Sequence, residues 1–144
     1  MALVVSGEIL QEIADRARDR APEEVCGWLA GRGSEVYCLY PVSNTSESPE
    51  VRFEMEPQAQ LDAMREIRKC GLEIAGTYHS HPRSPAVPSA RDASLALYPQ
   101  AAHLIISLAG PEPEVRAYRI TESGTTELRI SPDRAPATTG GGCN

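Results

Sequence analysis

The chain has 144 residues, enough for one domain around one hydrophobic core. With 41% hydrophobic and 24% charged residues it is globular in composition, and with a net charge of −6 nothing suggests a surface for nucleic acid or anionic membrane. No apolar run approaches the roughly 20 residues of a membrane helix. The N-terminus lacks the basic start and cleavage site of a secretory signal, and Cys26, Cys38, Cys70 and Cys143 are too scattered for a disulfide framework or a Cys-rich metal site. A cytoplasmic protein with reduced thiols is the expectation.

Ala2 to Val5 reads as a short first strand. Ser6 then caps a helix running to about Arg20, with Ile9, Leu10, Ile13, Ala14 and Ala17 on one face. Arg16, Arg18 and Arg20 form a solvated face and suit the negative end of the helix dipole. Ala21-Pro22 breaks that helix. Val25 to Ala30 is apolar and reads as a central strand, turned by Arg32-Gly33-Ser34 into a second strand over Glu35 to Tyr40. Pro41 to Pro49 reads as a loop. Val51 to Met55 alternates as a half-buried strand does.

Pro57 suits the first position of a second helix, with Leu61, Met64 and Ile67 inward and Gly71 as its stop. Leu72 to Tyr78 is a buried strand. Ser89 opens a third helix that Pro99 ends near Tyr98, and His103 to Leu108 is another buried strand. Glu114 to Ile120 and Thr126 to Ile130 form a closing hairpin. From Ser131 onward Pro, Thr and Gly show no apolar period, so residues 1–130 are expected to form the domain and 131–144 a disordered tail. Strands alternating with helices predict a mixed sheet flanked by helices, a three-layer α/β domain.

One stretch carries chemistry: Thr77-Tyr78-His79-Ser80-His81-Pro82, six residues, then Ser89-Ala90-Arg91-Asp92. Neutral imidazole nitrogens and carboxylate oxygens are the ligands of catalytic zinc, and three protein ligands leave the fourth position for water. In extended chain residues i and i+2 point the same way, so His79 and His81 can converge on one ion. Ser89 as N-cap places Asp92 in the first turn of its helix. Taken singly the parts are bland: His-x-His is common, and Ser89-x-x-Asp92 resembles a capping box. A zinc-bound water also needs a base that is not itself a ligand. Glu24 at the edge of the central strand is the candidate and Glu23 its rival, and chemistry alone does not choose between them.

His-Ser-His-Pro, six residues, Ser, two residues, Asp resembles the full signature of the JAMM (MPN-plus) metalloproteases. Pro22-x-Glu24-x-Cys26-Gly27-x-Leu29-x-Gly31 resembles that family's first motif, and Arg52-Phe53-Glu54-Met55 resembles its bacterial branch. The likeness runs from about Val4 to Ile130. It implies a cytidine-deaminase-like three-layer fold, Zn2+ held by His79, His81 and Asp92, Glu24 as general base, and Ser89 stabilising the oxyanion.

The resemblance also implies a substrate class. Family members cut after the C-terminal Gly-Gly of ubiquitin or ubiquitin-like proteins, and bacterial single-domain members are associated with β-grasp sulfur-carrier proteins. Such an enzyme unmasks the carrier or releases cysteine from a carrier–cysteine adduct. A non-catalytic MPN module binding a ubiquitin-like partner, a zinc hydrolase of small amides, and a homodimer are carried as alternatives. His103 and Trp28 read as core or as neighbours of the site, and a Cys26–His79 thiol protease is the weaker nucleophilic reading. The chain itself ends Gly140-Gly141-Gly142-Cys143-Asn144, like such an adduct, but a low-complexity terminus without a role is the simpler reading.

Overall fold

A computed structural model describes residues 2–90, 92 and 100–132. Within them β1 (Ala2–Val4) leads into α1 (Gly7–Arg20), and β2 (Cys26–Arg32) turns back as β3 (Glu35–Val42). Next come α2 (Pro57–Lys69), β4 (Glu73–His81), β5 (Ala102–Ser107), β6 (Glu114–Thr121) and β7 (Gly124–Ser131). The strand order is β1-β3-β2-β4-β5-β6-β7. The sheet is mixed, as expected, but it also curls shut. β1 pairs in parallel with β7 over three residues and touches β3 through Val4 and Glu35.

The caps work as the sequence suggests. The Ser6 hydroxyl accepts the Ile9 N–H at 3.3 Å, and Arg18 and Arg20 occupy the last turn of α1. Ile9, Ile13, Ala14 and Ala17 pack with Leu3, Val5, Leu29, Tyr78, Leu104, Ile106, Ala117 and Leu128 from most of the strands. α1 therefore fills the concave side of the curl. α2 covers part of the other side, where Trp28, Ala30, Val42 and Ile67 form a second cluster. Period-two alternation assigns the β2 faces, with Leu29 toward α1 and Trp28 and Ala30 toward α2; in β4 a register shift that skips Ala75 puts Ile74 toward α2 and Tyr78 toward α1.

Four expectations need correction. Val51 to Met55 forms no ladder strand among the described residues; only an isolated bridge joins Asn44 to Met55, and Val51 is 62% exposed. The segment opposite meets only its end, through the Thr45 N–H on the Glu54 carbonyl and the Glu56 N–H on the Ser43 carbonyl, each at 2.9 Å, with the Asn44 side chain between them. Leu61 points outward at 49% exposure, because the inner stripe of α2 is Ala59, Ala63, Met64 and Ile67. Ser131, expected in the tail, ends β7, and its carbonyl accepts the Val5 N–H at 2.9 Å. Residues 133–144 lie outside the described residues, as does most of the expected third helix. Cys26 and Cys38 are free thiols, whereas Cys70 is disulfide-bonded, so thiols reduced throughout do not hold. Wide spacing in sequence places no bound on which sulfurs meet in space. No helix among the described residues is long and apolar enough to cross a membrane.

β4 and β5 are parallel neighbours, with Gly76 opposite Ala102 and His81 opposite Ser107. A parallel pair needs a crossover of a dozen or more residues. Here it is residues 82–101, and it leaves the carboxyl end of β4 carrying Ser89 and Asp92. Ends of parallel strands beside such a crossover are where α/β sheets build their sites.

Candidate metal centre

Register brings the first three groups together. Cys26 of β2 pairs with His79 of β4, so two residues on, Glu24 faces His81. The ladder continues through the Ser80 N–H to the Val25 carbonyl at 3.0 Å and the Val25 N–H to Ser80 Oγ at 2.8 Å. Beyond the register shift that skips Ala75, Tyr78 lies on the α1 face and the residues either side of it on the other, so His79 and His81 share a side, as their spacing predicts. Gly27 lets the strands close up: a Cβ there would strike the Tyr40 carbonyl and the Tyr78 ring. That is the physical reason for glycine in the Cys26-Gly27 motif.

Asp92 joins them from the crossover. His79 Nε2 and His81 Nε2 stand 3.2 Å apart, and Asp92 Oδ2 lies 3.4 Å from the first and 3.3 Å from the second. Ligands about 2.0–2.1 Å from a tetrahedral ion stand about 3.3–3.4 Å from one another, so the three atoms have the spacing of three corners of one coordination tetrahedron. His81 Nδ1 lies 2.8 Å from the Pro85 carbonyl, which fixes its proton there and leaves the Nε2 lone pair facing inward. Two imidazole lone pairs facing one carboxylate repel unless a cation or proton lies among them. The donor set thus fits a metal ion.

Ligand atoms of Glu24, His79 and His81 also lie within 4.8 Å of one another, and all three residues are buried. That wider triangle is the looser of the two sets. Glu24 is 5% exposed and its Oε1 has no hydrogen-bond partner. Burial pushes its carboxyl up to about 7, with His81 opposing and Asp92 adding to the shift. Burial also tends to raise Asp92, but His79, His81 and the Ser89 N–H outweigh it, so its carboxyl stays well below the usual range. Burial lowers His79. It lowers His81 too, but contacts with Asp92, the Pro85 carbonyl and Glu24 leave His81 raised overall. Opposed shifts in one buried cluster mark these residues as candidates for a functional site.

Ser89 and Asp92 form a reciprocal cap. The Ser89 N–H donates to Asp92 Oδ2 at 2.7 Å, and the Asp92 N–H donates to Ser89 Oγ at 3.2 Å. The Ser89 oxygen is therefore an acceptor in the cap, which leaves its O–H proton for another partner, and the residue is exposed. The cap and the oxyanion role do not compete.

The remaining candidates fall away from the chemistry. His103 pairs through Nδ1 with Thr77 Oγ1 at 2.9 Å, inside the sheet. Trp28 is core, its Nε1 donating to the Gln60 carbonyl at 3.4 Å. The Cys26 thiol contacts the Val42 carbonyl, and burial and then Glu24 push it up to about 12, so it is no thiolate nucleophile. Phe53 was missed as a functional contact in the sequence: its ring stacks on His79 with centroids 4.5 Å apart. Its place as the single phenylalanine in a polar stretch was the available signal.

The family model described as prokaryotic homologs of the JAB domain matches residues 6–121. A desampylase of Haloferax volcanii is 35% identical over 125 residues, covering 85% of this chain and 88% of the relative. A probable TtuB-protein conjugate cleaving protease of Thermus thermophilus is 34% identical over 130 residues, covering 90% and 84%. A CysO-cysteine peptidase of Mycobacterium tuberculosis is 32% identical over 132 residues, covering 90% of each. A solution structure of a Desulfitobacterium hafniense protein superposes with a TM-score of 0.80 at 39% identity, covering 90% of this chain and 91% of that one. A JAB1/MPN domain protein of Archaeoglobus fulgidus, at 23% identity and a TM-score of 0.60, shares the fold, covering 89% and 97%. Matched over most of its length by sequence and by shape, this chain belongs to the prokaryotic JAB-domain family.

Proposed function

We propose that the protein is a zinc-dependent peptidase that hydrolyses the bond after the C-terminal Gly-Gly of a ubiquitin-like sulfur-carrier protein, in a protein conjugate or a carrier–cysteine adduct. The observation that carries this reading is the 3.2–3.4 Å convergence of His79, His81 and Asp92 beside a buried Glu24. The names of relatives that span the chain, a TtuB-conjugate protease and a CysO-cysteine peptidase, support the substrate class.

In this reading His79 Nε2, His81 Nε2 and Asp92 Oδ2 would hold the ion. Zinc, when bound, would supply Lewis acidity toward the scissile carbonyl and lower the pKa of water to near 7. Glu24, held near neutrality by burial, accepts a proton from the attacking water and delivers it to the leaving amine. The Ser89 O–H donates to the oxyanion as the carbonyl becomes tetrahedral. No side chain forms a covalent intermediate. Glycine at the cleavage site suits a chain that must pass close to walls such as Phe53. We place the catalytic unit in the domain that closes with Ser131 and assign no role to the residues after it, and the expected cytoplasmic location is kept.

The test pairs metal analysis with cleavage of a carrier protein extended past its Gly-Gly, with and without a chelator. About one zinc per chain and chelator-sensitive cleavage, lost in Glu24→Ala, are expected. Zinc without cleavage of any carrier extension overturns the substrate, and absence of bound metal overturns the site.

A further inference from the structure

Glu24 lies where two ladders run out. The β2–β3 register sets Cys26 opposite Val42, and the β2–β4 register sets Cys26 opposite His79. Two residues back, the same registers set Glu24 between Asn44 on one side and His81 on the other. On the His81 side the backbone ladder continues through Val25 and Ser80. On the other side the paired residues stop at Val42, and the side chain of Asn44 takes over.

Asn44 Nδ2 donates to the Glu24 carbonyl at 3.0 Å and to the Arg52 carbonyl at 3.1 Å. Its Oδ1 accepts the Ser46 and Glu54 N–H groups, each at 3.0 Å. Both donors and both acceptor sites of one amide are used. The Glu24 N–H donates to the Pro49 carbonyl at 2.7 Å, in the same loop. Arg52 and Glu54 flank Phe53, the ring stacked on His79. One amide thus ties the backbone of Glu24 to the segment that covers the first histidine.

We propose that Asn44 is a positioning residue for the proposed reaction, holding Glu24 at proton-transfer distance and Phe53 against His79. This rests on the functional reading above. No other short side chain supplies two donors and an acceptor at that reach. Aspartate keeps the acceptors and loses both donors, and serine or threonine has a single donor. A displacement of about 1 Å at a reacting group costs on the order of 10² in rate, and loss of the Nδ2 contacts frees the Glu24 carbonyl on the side that has no ladder.

Asn44→Asp is the decisive variant, with Thr45→Val as its control. Thr45 Oγ1 donates to the Glu54 carbonyl at 3.2 Å and touches neither Glu24 nor Arg52. Asn44→Asp is expected to keep its metal and to melt somewhat lower through its two lost donor bonds, while kcat per folded protein falls about 10²-fold with KM unchanged. Amide exchange followed by NMR should quicken at Glu24 and stay slow at Glu54. Thr45→Val should keep kcat. The proposal is overturned if Asn44→Asp turns over like wild type, or if its kcat falls only with its folded fraction. A wild-type protein that cleaves no carrier conjugate overturns the functional reading instead. In that case an unchanged Glu24 exchange rate in Asn44→Asp overturns the positioning role, and a quickened one supports it.

Discussion

The site has two halves held by different means. Glu24, His79 and His81 sit on the β2–β4 ladder, where register alone decides which side chains meet. Ser89 and Asp92 sit on the crossover, whose described residues pair in no ladder. That crossover is strapped by three successive carbonyls, each accepting from a different strand. The Ser84 carbonyl takes Ser107 Oγ–H at 2.6 Å, the Pro85 carbonyl lies 2.8 Å from His81 Nδ1, and the Ala86 carbonyl takes Tyr118 Oη–H at 2.5 Å. A ladder places residues through backbone groups that every non-proline residue carries. A strap needs particular side chains, here from β4, β5 and β6, and each can be removed singly.

His81 belongs to both halves, so breaking it has the largest effect. His81→Ala removes one donor of the convergent set and the hold on Pro85 together. It also leaves Asp92 buried with less to oppose its charge. Loss of bound metal and of all cleavage is expected, read by metal analysis and by turnover. A variant that retains metal and activity would remove the centre from this site.

Glu24→Gln tests the ladder half without touching the convergent triad. Bound metal should persist while the rate falls about 10²–10⁴-fold. The pH behaviour of the metal-free protein follows from the raised carboxyl. Burial favours the protonated form, so ionising Glu24 costs stability; that loss begins above the ordinary value of 4.5, where the unfolded chain gives up its proton, and is complete once pH has passed about 7. Glu24→Gln should flatten this loss across that window in melting curves and change nothing in the slope above it. An unchanged pH slope would mean that Glu24 does not titrate there.

The legibility of the molecule divides along the same line. His79 and His81 could be placed on one face from spacing alone, because a strand's period is fixed by its backbone. Gly27 and Glu24 were legible as a motif, and the structure adds the reason for the glycine in the Tyr40 and Tyr78 contacts. Capping chemistry in the sequence anticipated the Ser89–Asp92 pair. Ser107, Tyr118 and Asn44 were not legible, since their partners lie 23, 32 and 20 residues away and no local period marks them. Val51 to Met55 misled for a related reason. Its alternation was genuine at Phe53 and Met55, but the backbone pairing it meets is a single bridge at Asn44 and Met55, too short to make a strand, and the Asn44 amide supplies the contacts beyond it. The curl of the sheet onto β1 was hidden as well, because a three-residue strand carries too little pattern to announce two neighbours.

Ser89→Ala probes the strapped half at its tip. The ring of contacts that holds Asp92 loses one acceptor, Ser89 Oγ, but keeps the Ser89 N–H on Asp92 Oδ2. Metal should stay bound, and the rate should fall about 10²–10³-fold through loss of an oxyanion donor. The effect should lie in kcat, since the donor acts on charge that develops only in the transition state. A change confined to KM would assign Ser89 to substrate binding instead.

Tyr118→Phe is the mildest break and the sharpest test of the straps. The ring remains packed with Ile105, Ile120, Ala86 and Phe53, so the core loses no volume. What goes is one hydroxyl, worth about 1 kcal/mol as a hydrogen bond, and the Ala86 carbonyl is left without that donor. If the strap only stabilises the loop, melting temperature falls and metal affinity does not move. If it presents Asp92 to the histidines, metal affinity should fall about 10–100-fold, as for other residues that orient ligands from behind. Competition against a chelator of known affinity separates the two. The ladder half predicts the contrast: substitutions that leave β2–β4 pairing intact should not loosen the histidines, so weakened affinity in Tyr118→Phe would have to come through Asp92.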